Sequence, residues 1–452
     1  MSSLADRLRG IVAGVGTGGP AGAGALAERA AHAVAGRVVP DESARVLGGR
    51  VEQHPAGTAI RVTRHYPADA RYGHVRLGEA VAQVLEATDA FEVLTRAWPS
   101  GAEASDARRP ALDDLWLLDL ETTGLAGGAG TQAFLIGCAH LSAGGVTVEQ
   151  WLLPGFEHER ALLALFAEWS KGRGTLVTFN GKSFDVPLID TRYQFHRTVS
   201  PLAGVWHTDM LHPARRLWRL QGSAYGPVEG SCSLGTLEQR LAGVARVGDV
   251  PGAEIPGRYF QFVRDGEAAP LEPVLEHNRL DLVSLVLVLS ATLQRIARGP
   301  ASTRDAYEAL GLARVYERAG QWPEADAAYG ASIQQLQRVG RDPSTLADVL
   351  RRQALLRRRQ GRTSDAVAVW STLAALRGAP TALRREAREA LAIFHEHRDG
   401  DLWAARQHVH ALLSEVRDEG RESAQHRLHR IERKLQARSG TDLLGSTDRA
   451  EG

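Results

Sequence analysis

The segment LWLLDLE, from Leu115 to Glu121, is an apolar run that ends in two acids, and it constrains the fold more than any other stretch. Its unbroken hydrophobicity predicts a buried strand. Residues two apart on a strand point to the same side, so Asp119 and Glu121 leave its end together. Two carboxylates emerging side by side from a buried strand repel each other, which is costly unless a cation sits between them. Clustered oxygen ligands of this kind suit Mg²⁺ or Mn²⁺.

Two further motifs supply what such a site would still lack. In GTLVTFNGKSFDVPLID the β-type run Thr175 to Phe179 meets Asn180-Gly181, a turn signal, and the following helix carries Asp185 in its first turn, where the helix dipole favours an anion. VLEHNRLDLVSLVLVLS reads as a buried helix on which His277 and Asp281, four apart, share a face.

The order DLETTG, FNGKSFD, HNRLD resembles the DEDD superfamily of 3′-to-5′ exonucleases, DnaQ-type proteins with a ribonuclease H-like fold, and within it the bacterial YprB-like proteins. HTDMLHPARRLW, CSLGTLEQRLAG and DVPGAEIPGRYFQFVRDG match as well, so the resemblance covers roughly residues 112 to 297. It implies an α/β ribonuclease H-like mixed sheet followed by an all-α helical-repeat domain. It also implies two divalent metal ions, Mg²⁺ or Mn²⁺, on Asp119, Glu121, Asp185 and Asp281. One branch of the superfamily places a His five residues before the last Asp and another a Tyr four before it; here His277 holds the four-before position and is the candidate general base. Thr122, Thr123, Gly124, Leu125 and Asn180 are the implied substrate contacts, with Leu125 a wedge against a base. Phe184 is expected in the core and Asp209 as an N-cap.

The chain has 452 residues, which suggests about three domains. Residues 1–40, rich in Ala and Gly, read as a flexible arm, and 41–110 as a small accessory region with strands, helix and linker. Residues 111–298 form the nuclease-like domain, 301–437 a tetratricopeptide-like helical domain, and 438–452 a disordered tail. Ala313, Ala354 and Ala392 fall at equivalent places in the helical region, 41 and then 38 residues apart, against about 34 in the standard repeat. An ordinary helical bundle is the competing reading of that region.

With 54 Lys+Arg against 53 Asp+Glu the net charge is +1, so affinity for nucleic acid must come from local patches and bound metal rather than a broad cationic field. ARRLWRL, Ala214 to Leu220, is one such candidate patch, with a solvated amphipathic face as the alternative. Two cysteines, Cys138 and Cys232, make no disulfide framework or closed zinc site. The expected setting is cytoplasmic, with no membrane partner. Function classes left open are a 3′-to-5′ exonuclease on single-stranded or frayed DNA or RNA, a structure-selective endonuclease, and a catalytically weak nucleic-acid-binding scaffold whose helical repeats bind a protein partner.

Overall fold

The computed structural model describes residues 38–97, 112, 114–124, 130–223, 226–340, 342–415 and 420–447. The chain divides into two compact units: Met1–Glu86 with Ser100–Leu211 and Ser233–Ser290, and Ala87–Pro99 with His212–Cys232 and Ala291–Gly452.

In chain order the first unit holds α1 (Pro40–Val46), β1 (Arg50–His54), β2 (Gly57–Pro67), β3 (Arg71–Tyr72), β4 (Val75–Arg76) and α2 (Leu77–Leu85). The helix expected in the 41–110 region is two helices: α2 stops at Leu85, and α3 (Thr88–Ala97) belongs to the other unit. Then come β5 (Leu115–Thr122), β6 (Ala133–Ser142), β7 (Gly145–Leu152), α4 (Glu159–Ser170), β8 (Thr175–Thr178), α5 (Asp185–Phe195), β9 (Trp206–Asp209) and α6 (Leu211–Trp218), which runs on into the second unit. After a short hairpin, β10 (Leu220–Ser223) with β11 (Gly226–Glu229), follow α7 (Leu234–Ala242), α8 (Ile255–Asp265) and α9 (Glu272–Arg298).

Seven of the described strands form one sheet in the order β1-β2-β7-β6-β5-β8-β9, and β3 with β4 and β10 with β11 form two-stranded sheets. The pairs β1/β2, β2/β7, β7/β6 and β6/β5 are antiparallel, and β5/β8 and β8/β9 are parallel. This is the mixed sheet of a ribonuclease H-like fold. Of the four strands in the 41–110 region, β1 and β2 extend that sheet: β2 pairs with β7 from Ile60–Leu152 to Pro67–Gly145.

β5 sits in the interior of the sheet, and its alternation sorts its side chains by face. Trp116 packs against Phe166 and Trp169 of α4, ring centroids 6.1 and 5.5 Å away. Asp119, of opposite parity, meets α9 on the other face. α9 is apolar and long enough to cross a membrane by composition, but its apolar window is 72% buried within the fold, so its hydrophobicity is that of a core helix.

The second unit adds α10 (Ala306–Arg318), α11 (Trp322–Val339), α12 (Pro343–Arg359), α13 (Thr363–Ala375), α14 (Thr381–Phe394), α15 (Leu402–Glu415) and α16 (Arg421–Thr447). α16 continues past Arg438, where composition suggested a tail. Ala313, Ala354 and Ala392 are fully buried in α10, α12 and α14. Gly320 (φ 76°) and Gly361 (75°) lie in the turns after α10 and α12, and Gly400 (74°) follows the π-helical segment His395–Asp399 that extends α14; positive φ penalises any Cβ.

Candidate active site

Asp119 and Glu121 stand at the carboxyl end of β5, where the register with β6 shifts between Glu121 and Thr122. Asp119 is held by Asn278 of α9, whose Nδ2 donates to Asp119 Oδ2 at 2.9 Å and to its carbonyl at 3.2 Å. Asn278 is itself fixed by Gln150 of β7, which donates to Asn278 Oδ1 at 2.8 Å. The space for this amide exists because Gly137 lies opposite Asp119 on β6; a Cβ there would come 2.0 Å from Asn278 Oδ1.

Asp185 arrives from the neighbouring strand. β8 ends at Thr178, and the chain turns through Asn180 in the left-handed region (φ 70°). Asp209, at the end of β9, organises this turn: its carboxylate accepts from the backbone N–H of Asn180 (2.7 Å) and Lys182 (3.1 Å), and also from Leu211 at the start of α6 (3.0 Å). Asp209 is therefore a backbone clamp as well as a cap. His207 on the same strand is bonded to Thr178 Oγ1 at 2.8 Å, and burial pulls its pKa down to about 4, so it stays neutral.

α9 carries the third motif. His277 Nδ1 lies 2.7 Å from Asp249 Oδ1, and its Nε2 lies 3.8 Å from Asp281 Oδ2. Asp281 is in turn paired with Arg246 at 2.6 Å. Arg246 also binds the buried Glu238 of α7 at 2.8 Å, and Glu238 accepts from Tyr72 Oη (2.6 Å) and Ser284 Oγ (2.8 Å). Arg246, Asp249 and Glu238 were not singled out from the sequence, although the first two lie in or beside the DVPGAEIPG loop.

The electrostatics are those of an anionic site short of counter-charge. The Asp119 carboxyl is held well above its usual range, first by burial and then by Asp281, Glu121 and Asp185. Glu121 is raised by burial and by Asp281, Asp185 and Asp249. Asp185 is pushed up to about 7, chiefly by burial. Asp281 is also raised by burial, against the opposing pull of Arg246 and His277. Half-buried carboxylates placed so that Asp281 and Asp185 raise both Asp119 and Glu121 fit a divalent cation, which would relieve both desolvation and repulsion. Asp119, Glu121, Asp185 and Asp281 are the residues able to hold one.

The expected substrate contacts are placed unevenly. Thr123 bonds across to Gln132 through its backbone N–H (2.9 Å) and Oγ1 (3.0 Å), and Thr122 Oγ1 donates to the Gly124 carbonyl (2.9 Å), so these residues build a braced turn beside the acids. Leu125 lies outside the described residues. Asn180 contributes its backbone to the turn already described. Phe184, expected in the core, is 59% exposed beside Asp185, because the turn carries it out ahead of α5.

Residues 116–293 match the sequence model of the RNase_H superfamily. Over 354 residues the chain is 33% identical to the uncharacterized protein YprB of Bacillus subtilis (strain 168), an alignment that covers 78% of this chain and 79% of that protein. The chain belongs to the YprB family. The superfamily match contains all four motif acids of this YprB-family chain and omits β1 and β2. The RNase_H superfamily domain matched over residues 116–293 implies nuclease-type activity on nucleic acid, and nucleases of this fold generally use divalent metals.

Proposed function

We propose that the protein is a two-metal-dependent nuclease of the DEDD type, acting as a 3′-to-5′ exonuclease on single-stranded or frayed nucleic acid. The observation that carries this reading is the convergence of four half-buried acids from β5, α5 and α9, in which Asp281 and Asp185 raise the pKa of both Asp119 and Glu121. Asp119, Glu121, Asp185 and Asp281 would hold two Mg²⁺ or Mn²⁺ ions. Such ions supply an activated water and neutralise charge on the phosphoryl and leaving oxygens. Asn278 fixes Asp119, and the Asp209 clamp fixes the turn ahead of Asp185, so the mounts of these two acids are braced.

His277 is the proposed general base. Assigning its Nδ1 proton to the Asp249 bond leaves the Nε2 lone pair toward Asp281 and the attacking water. His277→Ala is expected to lower single-turnover cleavage about 10² to 10⁴-fold and to alter the pH profile at saturating Mn²⁺. A wild-type rate and profile would make His277 a structural residue. Phe184 offers an exposed ring for stacking beside Asp185. Phe184→Ala should weaken substrate binding by about 1–3 kcal/mol, the usual worth of one base stacked on an aromatic, with little change in the chemical step; an unchanged KM would exclude this role.

The helical unit fits tetratricopeptide-like pairs, supported by the recurring buried alanines and the turn glycines 320, 361 and 400. The test of the whole reading is incubation with end-labelled DNA and RNA oligonucleotides in Mg²⁺, Mn²⁺ or chelator. Progressive shortening from the 3′ end is the expected result. Internal cuts at junctions would make the protein a structure-selective endonuclease, and absence of cleavage in every condition would leave only binding.

A further inference from the structure

The ARRLWRL segment is only half explained by the site above. Trp218 is not free to stack on bases: it is buried, and its Nε1 donates to the buried Glu308 at 2.8 Å. The arginines differ. Gly311 of α10 lies against the backbone of α6, where a Cβ would come 2.4 Å from the Arg216 carbonyl and 2.8 Å from Leu217 Cα. That close approach brings Arg216 beside Arg314, one helical turn beyond Gly311. Arg352 of α12 and Arg318 complete the cluster, and after burial their charge is what pulls Arg216 below the usual guanidinium range. Arg314 is lowered by burial and then by Arg216 and Arg352.

The acids nearby are already engaged. Asp348 pairs with Arg352 at 2.8 Å, and Glu317 accepts from Tyr329 Oη at 2.6 Å and lies 3.3 Å from Arg359. Among the described residues, no carboxylate pairs with Arg216 or Arg314. Half-buried guanidinium groups set among other arginines with no carboxylate at ion-pair distance are unfavourably placed, and a phosphate, whose oxygens match the guanidinium fork, is the group that reverses this.

We infer that Arg216 and Arg314 form a binding site in the helical unit for the phosphodiester backbone of single-stranded nucleic acid. This rests on the nuclease reading for the choice of polymer over free phosphate or an acidic peptide. The test is binding of fluorescein-labelled oligothymidylate to the full chain in chelator, across a salt series, for wild type and Arg216→Gln/Arg314→Gln. Losing two phosphate contacts should reduce the slope of log K against log salt by about 1.4, and weaken binding by about 10-fold or more near 0.1 M salt. Cleavage of the p-nitrophenyl ester of thymidine monophosphate in Mn²⁺ should be unchanged.

Removing mutual repulsion should leave thermal stability equal or higher. Arg314→Gln alone, with a slope change of about 0.7, serves if the double variant does not fold. Equal affinity and slope in wild type and variant would overturn the inference, as would failure of wild type to bind. Equal displacement by polyglutamate would also overturn it, in favour of an acidic protein partner. Arginine-dependent binding in a protein that cleaves neither substrate would keep the site and discard the nuclease reading.

Discussion

Asp119→Asn or Asp185→Asn is expected to abolish the proposed metal-dependent cleavage and, in the metal-free protein, to stabilise the fold. Loss of activity should exceed about 10²-fold, since losing even a supporting partner of a metal ligand costs 10 to 100-fold. The gain in stability follows from repulsion: both carboxyls are raised by burial, and Asp119 also by its acidic neighbours. For Asp185 the sign is explicit. Its pKa is about 7 in the folded protein against an ordinary 3.8, so the folded state binds more protons between those values and wild-type stability falls as pH rises through the window. The advantage of Asp185→Asn over wild type should therefore be small near pH 4, grow towards pH 7, and shrink when Mn²⁺ is added. Chemical denaturation at several pH values with and without Mn²⁺ measures this. A variant no more stable than wild type at neutral pH would remove the electrostatic basis of the site.

Arg246→Met should destabilise the metal-free protein by about 3–5 kcal/mol, the scale for stripping one partner from a buried ion pair. Glu238, with no side-chain exposure, would keep its bonds from Tyr72 and Ser284 but lose its counter-charge, and Asp281 would lose its only ion-paired arginine among the described residues. A fall in Tm of roughly 6–20 °C is the corresponding expectation. Mn²⁺ should raise the variant's Tm by more than it raises the wild type's, because the ion then meets an Asp281 with no competing guanidinium. Equal melting of variant and wild type would mean that Arg246 does not bridge these acids.

Much of this was legible in the sequence where the signal is local. β5, β6, β7, β8 and β9 follow apolar runs closely, and the turn chemistry of Asn180-Gly181 locates the start of α5. His277 and Asp281 share a face because helical spacing dictates it. What periodicity could not reveal is partner choice across long distances. Nothing in GTAIRVTRHYP names β7 as its neighbour, and nothing in the loop before α8 announces that Arg246 and Asp249 will embrace the third motif. Aromatic side chains misled in both directions: Phe184 is exposed and Trp218 buried, since composition alone does not say which side of a turn or helix meets the core.

The pairing of β2 with β7 also sets a schedule for synthesis. The β1–β2 hairpin is translated well before its partner: 145 − 67 is 78 residues and 152 − 60 is 92. At about 5–20 residues per second the ribosome needs about 4–18 s to cover that gap. A lone hairpin is at best marginally stable in water, so Ala59, Ile60 and Val62, all buried in the finished protein, spend that interval uncovered on the nascent chain. The nascent amino-terminal strands are thus where a holdase would have most to cover, and where a slow codon before Gly145 would most prolong the exposure.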